Sequence, residues 1–378
     1  MRTVGIVCEY NPLHLGHARQ LTHLRMQHPE AAVVCLMSGL YVQRGQPAVF
    51  SRQVRARAAL LAGADLVLEL PVTVSLRSAE GFAGGAVEIL DRLGVEGLSF
   101  GAETADEALL LDTARRLLSP QFGAALRPHL NAGLSFPAAR SRALASLGGD
   151  PGVLERPNDI LAVEYCKAIL ARGSRLVPLP IDRPGDYHAL EAHRENPSAT
   201  SLRRRILAGE PWLSYVPPET WPAYEGAEIH SLALGERAVL ARLRTLEEAA
   251  FVALPGASEG LWRKLFRACR QETSLEEILT AAKSKRYTRS RLDRMALCAC
   301  LGLTARDLAK PAPYVRILGF RDRGRQVLRE GSQNLPLAHA GQRMDGPYFD
   351  LEQRCTHLYG LFSQPLEAPE PREQVIRI

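Results

Sequence analysis

Two histidines three positions apart, His14 and His17, stand in the run Val7-Cys8-Glu9-Tyr10-Asn11-Pro12-Leu13-His14-Leu15-Gly16-His17-Ala18-Arg19-Gln20. At the start of a helix, two imidazoles at this spacing can reach one phosphate chain. Their N–H donors can stabilise charge that grows on the phosphates as the α-phosphorus is attacked. The helix start adds free backbone N–H groups and the positive end of a dipole. Gly16 lets a flat base or a phosphate come close to the backbone. His14 and His17 are therefore the candidate catalytic pair, and the chemistry expected of them is phosphate-centred transfer.

Such a pair needs a strand before it and a helix after it, and the first half of the chain supplies both. Apolar runs at Thr3–Glu9, Ala31–Met37, Asp65–Leu70, Val95–Phe100 and Arg175–Ile181 read as buried parallel strands. Helical patterns at His17–Gln27, Ser51–Ala62 and Ser78–Leu93 lie between them. Ser51 and Ser78 are expected N-caps, and Gly63 and Gly94 expected C-caps. Further helices are expected at Phe136–Leu147, Asn158–Ala171 and Ser201–Ala208. This alternation predicts an α/β fold with a doubly wound parallel sheet. Ligands of such sheets bind at the carboxyl ends of strands, where His14 and His17 fall.

The second half reads differently. Helical patterns dominate at Ser231–Leu246, Ser258–Arg270, Ser274–Lys283 and Arg289–Leu301, with one late apolar run, Tyr314–Phe320, as a strand. Four prolines in Pro211–Pro222 suggest a connection between two domains. The expected division is a catalytic α/β domain over 1–215 and a mainly helical domain over 225–378. The tail after Gln364 is expected to be loosely ordered.

Composition narrows the class. A hydrophobic fraction of 46% in 378 residues excludes wholesale disorder. The most apolar stretch, 58–76, is broken by Asp65, Glu69 and Pro71, so no membrane helix is expected. The N-terminal run does not read as a signal peptide. Seven scattered cysteines without a CxxC pair argue against a disulfide framework or a zinc site, and for a reducing cytoplasm. No protein-only metal site and no obligate protein partner are expected. Charge is uneven: residues 261–330 carry 17 basic and 7 acidic side chains, a net +10 in a chain of net +6. A basic segment on a near-neutral body is the footprint of a polyanion-binding region. Its densest part is Lys283, Lys285, Arg286, Tyr287, Arg289, Arg291 and Arg294, where cations could meet phosphates and the aromatic could stack on an unpaired base.

The HxGH string after a strand resembles the HIGH-type, Rossmann-like nucleotidyltransferase superfamily, which activates acids by adenylyl transfer from ATP. A second signature of that superfamily, a hydroxyl-rich turn opening a helix with an arginine, fits Ser198-Ala199-Thr200-Ser201-Leu202-Arg203. A longer ordered set narrows the resemblance: Val7 to His17, Met37-Ser38-Gly39, Gln43-Arg44-Gly45, Pro47-Ala48, Glu69-Leu70-Pro71, Phe100-Gly101 with Glu103, Lys283 with Lys285-Arg286-Tyr287-Thr288, and Ala312-Pro313-Tyr314-Val315-Arg316. Nearly end to end, the chain resembles the tRNA(Met) cytidine acetate ligase family. The resemblance implies that ATP, with Mg2+ on the triphosphate, activates acetate to acetyl-adenylate, and that the acetyl group passes to N4 of the wobble cytidine of elongator tRNA(Met). It implies ATP contacts from Val7 through Gln20, and from Gly101, Asn158, Arg183, Ser201 and Arg203. The alternative is a nucleotidyltransferase that adenylylates a small metabolite and has no RNA substrate.

Overall fold

The computed structural model describes residues 1–183, 197–284, 287–331, 333–368 and 373–378. Its strands are β1 (Thr3–Cys8), β2 (Ala32–Ser38), β3 (Tyr41–Val42), β4 (Gln46–Pro47), β5 (Leu66–Leu70), β6 (Gly97–Ala102), β7 (Val177–Asp182), β8 (Val315–Phe320), β9 (Leu337–His339) and β10 (Ile376–Arg377). Eight of them form one sheet in the order β10-β8-β5-β2-β1-β6-β7, with β9 also beside β8. β3 and β4 make a separate two-stranded ribbon. Every position of β2 is buried, as expected of a central strand covered on both faces.

The chain winds from β1 to β2 and β5 on one side, then crosses back to β6 and β7 on the other. The reversal lies between β1 and β6, which is the switch point where open α/β sheets bind ligands. The helices α1 (Leu15–Gln27) and α2 (Arg52–Leu61) pack one face through Leu21, Leu24, Ala56, Ala59 and Leu60. Helices Ala79–Leu93, Glu107–Leu118 and Pro157–Arg172 cover the other face. Three of the four expected caps hold, while Ala62 rather than Gly63 caps α2, with Gly63 following at φ 109. Ser51 Oγ accepts from the Val54 N–H and Ser78 Oγ from the Gly81 N–H, while Gly94 ends its helix at φ 79.

The helical region has its own core, built around Leu243, Phe251, Leu261, Leu265, Ile278 and the buried helix Arg289–Leu301. Three features depart from the expected division. First, β8 is the expected late strand, but it runs antiparallel to β5, and β9 and β10 pair with it. The sheet is therefore mixed, and the chain returns to it after the helical region, so 225–378 is not a separate body. The reason is the far edge of β5, an apolar run that would otherwise lie open. Second, Pro211–Pro222 is no free connection: Trp212, Val216, Ala223 and Tyr224 pack with Val49, Phe50 and Ala58 beside α2. Third, Glu373 in the tail is bound by Arg52, whose Nη2 lies 2.7 Å from Oε2.

Candidate active site

The carboxyl end of β1 turns sharply at Tyr10, whose φ of 43 is in the left-handed region. That conformation costs a non-glycine residue about 1–2 kcal/mol. Burial compensates: the ring is 1% exposed, its hydroxyl lies 3.6 Å from Cys35 Sγ, and it packs against His17 at 5.0 Å between centroids. Asn11 then fixes the turn, its Oδ1 accepting from the Val49 N–H (2.7 Å) and its carbonyl from Arg203 Nη1 (2.8 Å). Fully buried Arg55 ties the ends of β1 and β2 together. Its guanidinium donates to the carbonyls of Phe50 (2.9 Å), Glu9 (2.7 Å), Ser38 (2.9 Å) and Gly39.

The two histidines cap the helix they open. The Gly16 N–H donates to His14 Nδ1 (3.1 Å), and the His14 N–H donates to His17 Nδ1 (3.3 Å). Both Nδ1 atoms are thus acceptors, which places the proton of each neutral ring on Nε2. The rings stack with centroids 3.7 Å apart. His14 is 1% exposed, and its Nε2 has no hydrogen-bond partner among the described residues. A buried N–H left unpaired costs about 1–3 kcal/mol, which a bound acceptor would recover. Burial lowers the His14 pKa well below the usual value, and the charges of His17, Arg183, Arg19 and Arg203 add to this. Burial and then Arg183 push His17 down to about 3. Both rings are therefore neutral donors at neutral pH.

Gly16 has a role the sequence did not disclose. A Cβ there would lie 2.9 Å from His14 Cε1 and 3.1 Å from its Nδ1. The glycine makes room for the imidazole that bonds its own N–H, where the sequence suggested room for a base or phosphate.

Across the switch point, Gly101 of β6 leaves space for the Arg183 stem, which would stand 3.2 Å from a Cβ. Arg183 follows β7, its N–H bonding the Ala102 carbonyl (2.9 Å). Asn158 and Asp159 open the helix Pro157–Arg172. Glu103 sits at that helix start, accepting from Asn158 Nδ2 (2.7 Å) and the Asp159 N–H (2.9 Å). Together these elements enclose a cavity of about 240 Å³ at the strand ends.

A family model described as HIGH Nucleotidyl Transferase matches residues 1–374. The tRNA(Met) cytidine acetate ligase of Clostridium perfringens (strain ATCC 13124) is 36% identical over 359 residues, covering 88% of each chain. That of Caldanaerobacter subterraneus subsp. tengcongensis is 37% identical over 349 residues, 87% of this chain and 86% of the other. The chain belongs to the tRNA(Met) cytidine acetate ligase family. Two crystal structures of Thermotoga maritima TmcAL superpose over the whole of both chains. The apo form has a TM-score of 0.90 at 29% identity, and the form bound with alpha-thio ATP has 0.87 at 30%.

In this member of the acetate ligase family, the cavity gathers Val7, Cys8, Glu9, Tyr10, Asn11, His17, Gln20, Gly101, Asn158, Arg183 and Arg203. Pro12, Leu13, His14, Leu15, Gly16, Ala18, Arg19 and Ser201 do not line it. Leu13 and His14 lie buried behind the wall. Ser201 is 2% exposed, and its Oγ donates to the Ser198 carbonyl (2.8 Å) while Ser198 Oγ caps the Ser201 N–H (3.0 Å). Sequence reasoning assigned no role to Gln43, Arg44 and Gln46 of the β3–β4 ribbon, nor to Phe82, Leu161 and Tyr165, all of which line the cavity. Gln43-Arg44-Gly45 stood in the ordered motif set, which was the available signal. Among the described residues, no group of three or more His, Cys, Asp or Glu side chains could hold a metal ion. No described helix is long and apolar enough to cross a membrane.

The basic stretch is largely engaged within the fold. Arg289 bridges Glu276 (2.5 Å) and Asp293 (2.9 Å). Arg291 donates to the Gly256 carbonyl (2.8 Å) and Ser258 Oγ (2.8 Å). Arg294 reaches the Gln43 carbonyl (3.3 Å), and buried Tyr287 donates to the Glu259 carbonyl (3.0 Å). Lys283 is exposed; Lys285 and Arg286 lie outside the described residues.

Proposed function

We propose that this chain is an ATP-dependent ligase that forms acetyl-adenylate from acetate and ATP. It then passes the acetyl group to N4 of the wobble cytidine of elongator tRNA(Met), giving N4-acetylcytidine. The observation that carries the reading is the histidine pair, two neutral Nε2–H donors beside a cavity at the switch point. The names of the family members supply the acid and the RNA.

In the first step an acetate oxygen attacks the α-phosphorus, and the bond to pyrophosphate breaks. Negative charge grows on the phosphate oxygens and the leaving group. Donors already in place stabilise that charge without reorganising. His17 at the cavity wall serves as such a donor, His14 stacked 3.7 Å behind it holds that ring in place, and Arg183 and Arg203 add fixed positive charge. Mg2+ held by the triphosphate oxygens would supply charge neutralisation that two neutral imidazoles lack. In the second step the cytidine amine attacks the acetyl carbonyl, AMP leaves, and the amine loses a proton. The reaction is expected in the cytoplasm, where ATP and tRNA are at hand.

The test is mass analysis of elongator tRNA(Met) incubated with the protein, ATP and labelled acetate, run in parallel with His17→Ala. The parent should add one labelled acetyl group to the wobble cytidine. The variant should lose about 10²–10³-fold in rate, the effect of removing one such donor. Acetyl-adenylate formation without any RNA product would instead support adenylylation of a small metabolite.

A further inference from the structure

The helix Leu261–Gln271 is sharply two-sided. Leu261, Leu265, Ala268 and Cys269 face the helical core, and Arg263, Lys264, Arg267 and Arg270 project from the opposite side. The helix contains no acidic residue. Arg270 is engaged: it donates to the Leu246 carbonyl (2.8 Å) and its guanidinium lies 3.5 Å over the Phe266 ring centre. The other three are exposed, and none makes a hydrogen bond or ion pair with a described residue. Arg263 lies 5.0 Å from the ring centre of half-buried Trp262. At a rise of about 1.5 Å per residue, the three cations fall within roughly 6 Å along the axis.

The Lys283–Arg294 stretch offers a contrast. There Arg289, Arg291 and Arg294 meet carboxylates and carbonyls of their own fold. On Leu261–Gln271 the fold presents three adjacent cations that no described carboxylate pairs. We infer that the Arg263, Lys264 and Arg267 stripe holds the phosphate backbone of the RNA substrate. The inference rests on the function proposed above and adds where the RNA is gripped. Arginine forks suit phosphate oxygens, and lysine adds a point charge.

The experiment is RNA binding by the full chain as a function of salt. It compares the parent, the Arg263→Ala, Lys264→Ala, Arg267→Ala triple variant, and a control triple at exposed Arg115, Arg127 and Arg142, one on each of three other helices. Three lost contacts to duplex phosphates should reduce the salt slope by about 2.7, and three lost contacts to single strands by about 2.1. For duplex contacts, affinity between 50 and 200 mM salt should then fall roughly fortyfold less steeply in the variant than in the parent. Acetate-dependent pyrophosphate exchange without RNA should be unchanged, which shows that the variant is folded. Arg263→Lys with Arg267→Lys should retain the parental slope. A parental slope in the alanine triple, or a slope loss in the control triple, overturns the stripe while leaving the ligase reading intact. A parent that forms acetyl-adenylate but neither binds nor acetylates tRNA overturns the ligase reading, and the stripe with it.

Discussion

Gly16→Ala is expected to separate activity from stability. The new Cβ would stand 2.9 Å from His14 Cε1, whereas carbon atoms pack at about 3.5–4.0 Å. The ring must therefore move by roughly 0.6–1.1 Å. It has little freedom to do so, because it is buried, stacked on His17 at 3.7 Å, and bonded at Nδ1 to the Gly16 N–H. Misplacement of a catalytic group by about 1 Å costs on the order of 10²-fold in rate, or about 2.7 kcal/mol of barrier. Stability changes less. Gly16 has no positive φ, and alanine is favoured over glycine in a helix by up to about 1 kcal/mol. This offsets much of the roughly 1–3 kcal/mol of overpacking. The assays are acetate-dependent ATP–pyrophosphate exchange without RNA, and thermal unfolding. The same substitution placed in His14→Ala should add almost nothing, since it acts through that ring. Exchange within threefold of the parent, in a folded variant, would refute the reasoning.

Two further outcomes follow from the same site. Because His14 and His17 stay neutral in the fold, the unfolded chain binds more protons below about pH 6.5. Stability is full above that pH and declines as pH falls toward about 3, where His17 protonates within the fold. Between pH 8 and 5 the loss should reach up to about 2 kcal/mol for His17, and His17→Gln should reduce the pH dependence of the denaturation midpoint over that range, leaving the share of His14. Arg55→Ala strips the donor from four carbonyls and opens a void behind β1 and β2. It should cost about 3–5 kcal/mol in urea unfolding; a loss below 1 kcal/mol would mean that the carbonyls find other partners.

Much of the first half was legible because its strands are apolar runs and its helices carry hydroxyl caps and glycine ends. β1, β2, β5, β6 and β7 all lie within two residues of their expected limits. The two- and three-residue strands β10 and β9 carry no periodic signal, and only the open edge of β8 makes them strands. The helix Asp322–Gly331, rich in charge, reads in isolation as solvated surface, yet Gly324 is buried against Asp65 and Leu66 at β5, and Val327 joins the core under the sheet. At the site, local spacing singled out His14 and His17, of which His17 lines the cavity and His14 is buried beside it. Gln43 and Tyr165 reach the cavity only through tertiary packing. The Lys283–Arg294 stretch was the least transparent part. Linear charge density cannot register that Arg289 pairs with Asp293 one turn on, or that Arg291 folds back onto Gly256.

The late arrival of β8 has a consequence for biosynthesis. β5 is synthesised early, with β2 on one side, but its other edge is closed only by Val315–Phe320. About 245 residues separate the two strands, so at roughly 5–20 residues per second a ribosome leaves that edge bare for some 12–50 s. Over this interval the sequence Leu66-Val67-Leu68-Glu69-Leu70 is a sticky, unpaired ribbon on a nascent chain. Glu69 is the one charge on it, and in the finished protein that carboxylate lies 2.9 Å from Arg52 Nη1. During elongation it is also the residue best placed to keep neighbouring nascent chains from zipping onto the edge.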